Sequence, residues 1–461
     1  MRNIRLVSSM AALVGAAFTG PDGGVPSRFV ADSRLVAPGD AFVAFRGESS
    51  DGHDFIPDAV SRGASLVICE RPAAVPAGVS TIQVSDCFTD VPEMARRYLR
   101  EYDGVLEIIA VTGSVGKTTT REMIRTCLAS DFSVHSAEHS YNTLIGCALS
   151  ILGMHGKTDI LLLEMGTNHP GEIREMVRFF PPTVALITEV AAAHLEGLGS
   201  VEGVLEAKFE ITESPVLKAF FYNGDNPLLV SKSCSLPDSV RSLSLGFEKG
   251  DFRIQSTRFS LDDGLPNLTF DFVHEENVFS VRTSLFGRHS ALALGFGLAL
   301  RLYLGAPLGD RVLQDIGRLK APAGRGRFFR LSCGAVMLDD SYNANPASMR
   351  ASLSECARIP ARRRIAVLGE MRELGGDALE YHRDLLEFLK DFCKVFLMGK
   401  IWTDLFDGEP LPFNVFMFEN PVRLGEELLA ELQEGDLVVV KGSHGNRLDR
   451  AVTVLLEGVG S

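Results

Sequence analysis

The chain has 461 residues, 46% of them hydrophobic and 23% charged, with a mean hydropathy of +0.12. This composition excludes a disordered chain and gives ample core material, and the length corresponds to about three domains rather than one core. The formal net charge of -13 speaks against broad nucleic-acid binding, which rewards clustered Lys and Arg, so any anionic ligand must be met by local donors.

The N-terminal stretch MRNIRLVSSMAALVGAAF has two Arg, an apolar run and small residues. It shares that composition with a short signal peptide, but the expectation is an amphipathic helix running into a strand. Up to Tyr102, the runs DAFVAF, ASLVICE and STIQVS are punctuated by Pro and Gly and predict a small α/β domain over 1–102. Over 103–323, LEIIAVTG, ILLLEMG, VALITEV and LKAFFYNGD alternate with helical patterns, closing on a long helix from about Ser290 to Leu304. That alternation predicts a parallel sheet covered on both faces. Within it, the stretch from DFRIQSTRF to VRTSLFG alternates around Asp-Asp-Gly and His-Glu-Glu-Asn turn signals, so an antiparallel excursion is expected. KAPAGRGRF reads as a hinge. Over 324–461, GAVMLDDSYN, RRIAVLGEM, CKVFLMGK and DLVVVKGS repeat a βα theme and predict a second doubly wound, Rossmann-like sheet.

No apolar stretch reaches the roughly 18 residues of a membrane span, so no membrane insertion is expected. The eight cysteines are scattered singly without CxxC spacing and are expected to be reduced, buried thiols.

One stretch asks a chemical question. In Ala110-Val-Thr-Gly-Ser-Val-Gly-Lys117-Thr118 a strand gives way to a Gly-bounded loop and then a helix, the context a phosphate loop requires. Backbone N–H groups of Gly113, Ser114, Val115 and Gly116 can converge on phosphate oxygens beside the positive end of the helix, with Thr119 following. Lys117 is placed to reach β- and γ-phosphates and the Thr118 hydroxyl to bind Mg2+, though the first Gly of the usual pattern is missing. DILLLEMGTNH delivers Glu164 to the end of an apolar strand, where it can complete a Mg2+ shell as a Walker B acid does. His194 and Lys208, in AAAHLEGLGSVEGVLEAKFEI, reach toward the same edge. A nucleotide site of this kind implies work in the cytoplasm.

TGSVGKTTT, LEMGTNHPGEI, AAAHLEGLGSVEGVLEAKFEI, FYNGDNP, GRHS, DDSYNANPASM and VKGS occur in the order seen in the ATP-dependent Mur ligases of peptidoglycan assembly, which the chain resembles over nearly its whole length. ADSRLVAPGDAFVAFRGESSDGHDFIPDAVSRGA is similar to the uridine-nucleotide-binding domain of two members. DDSYNANPASMRASL and LGEMRELGGDALEYH are most similar to the member that adds D-Ala-D-Ala to UDP-MurNAc-tripeptide. The resemblance implies an acyl phosphate, formed from ATP on the peptide carboxylate and displaced by the incoming amine. It assigns Lys117 to the phosphates, Thr118 and Glu164 to one Mg2+, His194 to a second, and makes Lys208 a carbamylated lysine. Asp340 is implied at the ATP ribose, and Arg327, or Arg325 of the same GRGR, at the γ-phosphate. Ser33, Arg34, Gly52 and His53 fall to the uridine nucleotide. Asn142 and Thr143 fall to the sugar-peptide, and Asn343, Lys441, Gly442 and Ser443 to the dipeptide side. A monomer acting on small molecules is expected.

Three positions depart from the family pattern: Val115 and Thr143 stand where Asn is common, and Ala293 stands where an adenine-binding Asn is common. The latter leaves adenine to backbone groups or His289. Two alternatives stay open: the ligase that adds the third residue, though no DNPR-type string occurs in the third domain, and a nucleotide-binding relative without catalysis.

Overall fold

The computed structural model describes residues 4–458 apart from 48–49, 103, 138–139, 263, 408–410 and 413. Three sheets follow one another along the chain. The first has strands β1 (Ala17–Thr19), β2 (Phe29–Val30), β3 (Ala41–Val43), β4 (Leu66–Cys69) and β5 (Ser80–Gln83) in the order β1-β5-β4-β3-β2. It is parallel except for β1, and the helix Val7–Ala12 leads into it.

The central sheet contains β6 (Glu107–Thr112), β7 (Val134–Ser136), β8 (Ile160–Glu164), β9 (Val184–Ile187), β10 (Ala219–Asn223), β11 (Arg241–Gly246), β12 (Phe252–Asp262), β13 (Leu265–His274) and β14 (Asn277–Thr283). Its order is β14-β13-β12-β11-β10-β9-β6-β8-β7. Strands β6–β11 are the parallel part, in which β8, β9 and β10 are runs buried on both faces, and β12–β14 are the antiparallel excursion. Glu275 turns the β13–β14 hairpin with φ 53°; Asp263 of the expected Asp-Asp-Gly turn lies outside the described residues. The long helix observed, Gly287–Tyr303, packs against Lys117–Leu128 so closely that a Cβ on Gly297 would lie 2.7 Å from Cys127 Sγ.

The third sheet has β15 (Arg327–Arg330), β16 (Val336–Asp340), β17 (Arg363–Gly369), β18 (Lys394–Met398), β19 (Val415–Phe418) and β20 (Asp436–Lys441) in the order β15-β16-β20-β17-β18-β19, parallel except for β15. Separate apolar layers cover its two faces.

The first and central sheets share one continuous core, built where the helix Cys87–Glu101 meets Leu144–Leu152. Tyr98 and Tyr102 tie the two together through their hydroxyls, to Met154 O at 2.7 Å and Gly156 O at 2.5 Å. The third core reaches the central unit mainly through Phe286, which packs edge-on against Phe328 at 5.5 Å. All eight cysteines are free, and the expectation of burial fails for three: Cys234 and Cys393 are exposed and Cys333 half-buried. Cys234 caps the surface helix Pro227–Ser233 and Cys393 sits just before β18, so neither lies on a core-facing stretch. No helix among the described residues is long and apolar enough to cross a membrane.

Candidate active site

The carboxyl ends of β6, β8 and β9 bring together the central candidates. After β6 the chain turns through Gly113 (φ 151°) and Gly116 (φ 81°), conformations that favour glycine. A Cβ on Gly113 would lie 1.9 Å from Thr188 Oγ1, so the backbone can approach only with nothing there. Thr188, at the end of β9, donates to Val115 O at 2.5 Å. Ser114 locks the other side of the loop, its N–H donating to Glu189 O at 2.8 Å and its hydroxyl to Ala191 O at 2.9 Å. The loop is therefore held from β9 and opens on the N-terminus of the helix Lys117–Leu128.

Lys117 Nζ donates to Gly113 O at 2.8 Å, folding the ammonium back over the loop. Burial pulls its pKa down, opposed by Glu164 and assisted by Arg325. Thr118 Oγ1 donates to Glu164 Oε1 at 3.0 Å, while Glu164 Oε2 is buried without a hydrogen-bond partner among the described residues, 3.6 Å from the buried Arg121 guanidinium. Lys208, in the helix Val201–Phe209, is fully buried and its Nζ likewise has no partner. Burial first, and then Lys117, hold its pKa well below the usual lysine range. His194, at φ 53°, is also pushed down by burial and by Lys117, while its Nδ1 meets Glu373 Oε2 at 2.6 Å and that carboxylate opposes the shift.

These residues fit Mg2+ in a particular way. Among the described residues no three His, Cys, Asp or Glu side chains form a ready cage. A hydroxyl and one carboxylate with an orphaned buried oxygen are present instead, which suits a hard cation completed by substrate phosphates, with the buried amine of Lys208 nearby. A carboxylate-like group on Lys208 Nζ would turn the amine into an oxygen donor.

A cavity of about 440 Å3 runs from this loop to the third sheet, lined by residues 114–119, Glu164, His194, Arg325, Asp340, Asn343 and Lys441. Arg325 lines it, with its guanidinium 4.1 Å from the Tyr342 ring centre, whereas Arg327 does not and instead lies over Phe329. Of the two arginines expected at the γ-phosphate, Arg325 therefore borders the cleft and Arg327 does not; Gly324 and Gly326, at φ 69° and 82°, flank Arg325 before β15 begins. Asp340 accepts from Ser352 Oγ at 2.5 Å and from Lys441 Nζ at 2.8 Å, and Lys441 also donates to Asn343 O. Lys441 is buried and committed to orienting Asp340 rather than reaching outward. Ser443, beyond the cavity lining, accepts from Arg372 N–H at 3.1 Å and holds that loop. His289, Ala293 and Phe296 of the long helix wall the cavity opposite Asn345, Ser348 and Ser352.

A second cavity of about 420 Å3 adjoins the first, lined by Phe88 of the first unit and by Asn142, Thr143, Thr167, Glu172, Met176 and others of the central one. Lys117, Asn142 and His194 line both. Thr143 is also the N-cap of Leu144–Leu152, accepting from Gly146 N–H at 3.2 Å. The four uridine-site candidates line neither cavity. Arg34 forks onto Asp32 at 2.6 and 2.9 Å, Ser33 is buried, and a Cβ on Gly52 would strike Phe45 O at 2.6 Å. His53 accepts from Glu70 N–H at 2.9 Å through Nε2 and pairs with Asp51 at 2.7 Å through Nδ1, so both ring nitrogens brace the loop.

Thr188, Glu189, Arg121 and Glu373 belong to the site region without having been singled out from the sequence. Thr188-Glu189 end an apolar strand just as Glu164 does, and that signal was available; Arg121 and Glu373 have no comparable pattern.

Comparison with known proteins agrees with this geometry. Residues 111–295 match the Mur ligase middle domain, 324–444 the Mur ligase glutamate ligase domain and 29–106 the Mur ligase family catalytic domain. The UDP-N-acetylmuramoyl-tripeptide–D-alanyl-D-alanine ligase of Rickettsia prowazekii is 31% identical over 91% of this chain and 93% of its own. The enzyme of the same name from Synechocystis is 33% identical over 92% and 91%. A crystal structure of the Thermotoga maritima MurF ligase in complex with ADP superposes with a TM-score of 0.77 at 30% identity, covering 93% of this chain and 97% of that one. With motif order, cleft geometry and whole-length similarity in agreement, the chain belongs to the Mur ligase family.

Proposed function

We propose that the chain is an ATP-dependent ligase that joins D-Ala-D-Ala to UDP-MurNAc-tripeptide, giving UDP-MurNAc-pentapeptide, ADP and phosphate. The observation that carries this reading is the meeting of two cavities at Lys117, Asn142 and His194. A nucleotide in the first and a peptide carboxylate in the second would face each other there, and the activity for which the relatives are named supports the substrate assignment.

In this mechanism the peptide carboxylate oxygen attacks the γ-phosphorus and the bond to ADP breaks. The dipeptide amine then attacks the acyl carbon, loses its proton and expels phosphate. Loop N–H groups and Lys117 hold the β- and γ-phosphates, and Arg325 approaches them from the third unit. Thr118 and Glu164 would hold one Mg2+, and His194 with carbamylated Lys208 a second. Bound Mg2+ offsets charge between two anionic substrates. An uncharged amine is the form that adds CO2, and the burial that disfavours charge on Lys208 Nζ supports carbamylation. Lys208→Ala should lose most activity and recover part of it with short carboxylic acids. Asp340, steered by Lys441, faces the ribose.

We divide the chain into a UDP-sugar-binding domain (1–102), an ATP-binding domain (103–323) and a C-terminal ligase domain (324–461), each holding one sheet. We take the protein to act as a monomer on small-molecule substrates. The nucleotide and sugar-nucleotide substrates support the cytoplasm as the working compartment. Phosphate release from ATP, Mg2+ and UDP-MurNAc-tripeptide tests the reading. Release that requires D-Ala-D-Ala, with a product heavier by two alanine residues, is the expected result. Release instead with a free diamino acid and the dipeptide precursor, or none with either, overturns it.

A further inference from the structure

The geometry points to Glu373 as a positioning residue that presents His194 for the second divalent cation, an inference that rests on the ligase reading above. Glu373 lies in the third unit, in the loop after β17, and its carboxylate meets His194 Nδ1 of the central unit at 2.6 Å. The side chain of Glu373 is 60% exposed, so the pair adds little to stability and is not what holds the units together. Its geometry is nonetheless specified from both ends. Among the described residues five non-glycines have positive φ, and two of them, His194 (53°) and Glu373 (63°), are the two members of this pair. Such backbone conformations persist only where the surroundings impose them.

The chemistry of imidazole gives the contact its meaning. A carboxylate at Nδ1 accepts the ring proton there, which fixes the tautomer whose lone pair is on Nε2 and raises that nitrogen's basicity, as outer carboxylates do for metal-bound histidines. His194 lines both cavities, where the two substrates would meet. Because its orienting partner comes from the third unit, the ring is set only when that unit is packed against the central one. The packing that brings Asp340 and Arg325 to the nucleotide cavity would therefore also set the metal ligand.

The test uses the full chain with a non-hydrolysable ATP analogue and UDP-MurNAc-tripeptide, titrated with Mn2+ and followed by electron paramagnetic resonance. Wild type should bind two Mn2+. Glu373→Ala should weaken one of them about ten-fold and leave the other unchanged. The Mg2+ concentration for half-maximal turnover should rise by a similar factor with the melting temperature unchanged. Glu373→Gln, which keeps an acceptor oxygen, should recover much of the loss, and in a His194→Ala background Glu373→Ala should add nothing. An unchanged Mn2+ isotherm for Glu373→Ala, or a fall in kcat at saturating metal with normal binding, overturns the inference. A wild-type chain with dipeptide-dependent phosphate release but a single Mn2+ site overturns this inference alone. One with neither removes the ligase reading as well.

Discussion

Replacing Lys208 by Met should make the protein more stable and nearly inactive. In the unmodified chain Nζ is fully buried and has no hydrogen-bond partner among the described residues, and burial together with Lys117 disfavours its charge. A buried donor left unsatisfied costs about 1–3 kcal/mol, and Met is an apolar side chain of similar length that removes the donor while filling the space. The expected gain is therefore about 1–3 kcal/mol, with roughly 2–4 °C in Tm for each kcal/mol in a unit of this size. Activity should fall by about 100-fold or more, because an oxygen donor for a cation would be gone. The comparison is thermal unfolding in chelator and CO2-free buffer, where the lysine is a bare amine, alongside phosphate release under full substrate. A Met variant less stable than wild type would mean that the amine has a partner in the folded protein. A stable variant with normal turnover would remove Lys208 from the machinery.

Gly113→Ala should abolish nucleotide binding by equilibrium dialysis while the chain still folds, since the new methyl collides with Thr188 Oγ1 and unseats the hydroxyl that holds Val115 O; normal binding would show that the loop can yield. Tyr98 is pushed up to about 12 by burial, with Tyr102 adding to the shift. Its phenol stays protonated in the folded state above the pH where the unfolded chain loses that proton, so its contribution is complete below about pH 10 and lost toward pH 12. Tyr98→Phe should cost about 1 kcal/mol at neutral pH through the bond to Met154 O and flatten that alkaline loss in urea titrations; an unchanged alkaline slope would refute the assignment. Native alkylation at pH 8 should label Cys234 and Cys393 and spare Cys127 and Cys147, which burial holds up at about 12; mass spectrometry showing the reverse would contradict the packing.

The sheets were legible because their strands are buried apolar runs between turn residues, a local property of the chain. The phosphate loop and Glu164 were legible for a related reason: each is a polar break at the end of such a run, and sheet topology collects those ends. What escaped reading depends on neighbours distant in sequence. GRGR does not say which arginine turns inward; the two flanking glycines with positive φ decide it. Lys441 looks like a free cation near a strand end until β20 is placed beside β16, where Asp340 takes it. His53 follows Gly52 in a motif that suggests ligand contact, yet Asp51 and Glu70 use both of its nitrogens. The pair of His194 with Glu373 joins two units, and no periodicity within either one announces it.

The shared core of the first and central units gives the molecule an uneven mechanics. Three sheets amount to two blocks, because separating the first from the second would expose a continuous apolar interior, whereas the third core takes in one fully buried residue of the central unit, Phe286, an aromatic bearing with its own packing on either side. Of the two cavities, the one walled by Phe88 and Met176 thus lies within a single block and keeps its shape. The other is divided between blocks and changes volume with any rotation about that bearing. A small molecule designed for the first meets a mould, and one designed for the second acts as a wedge.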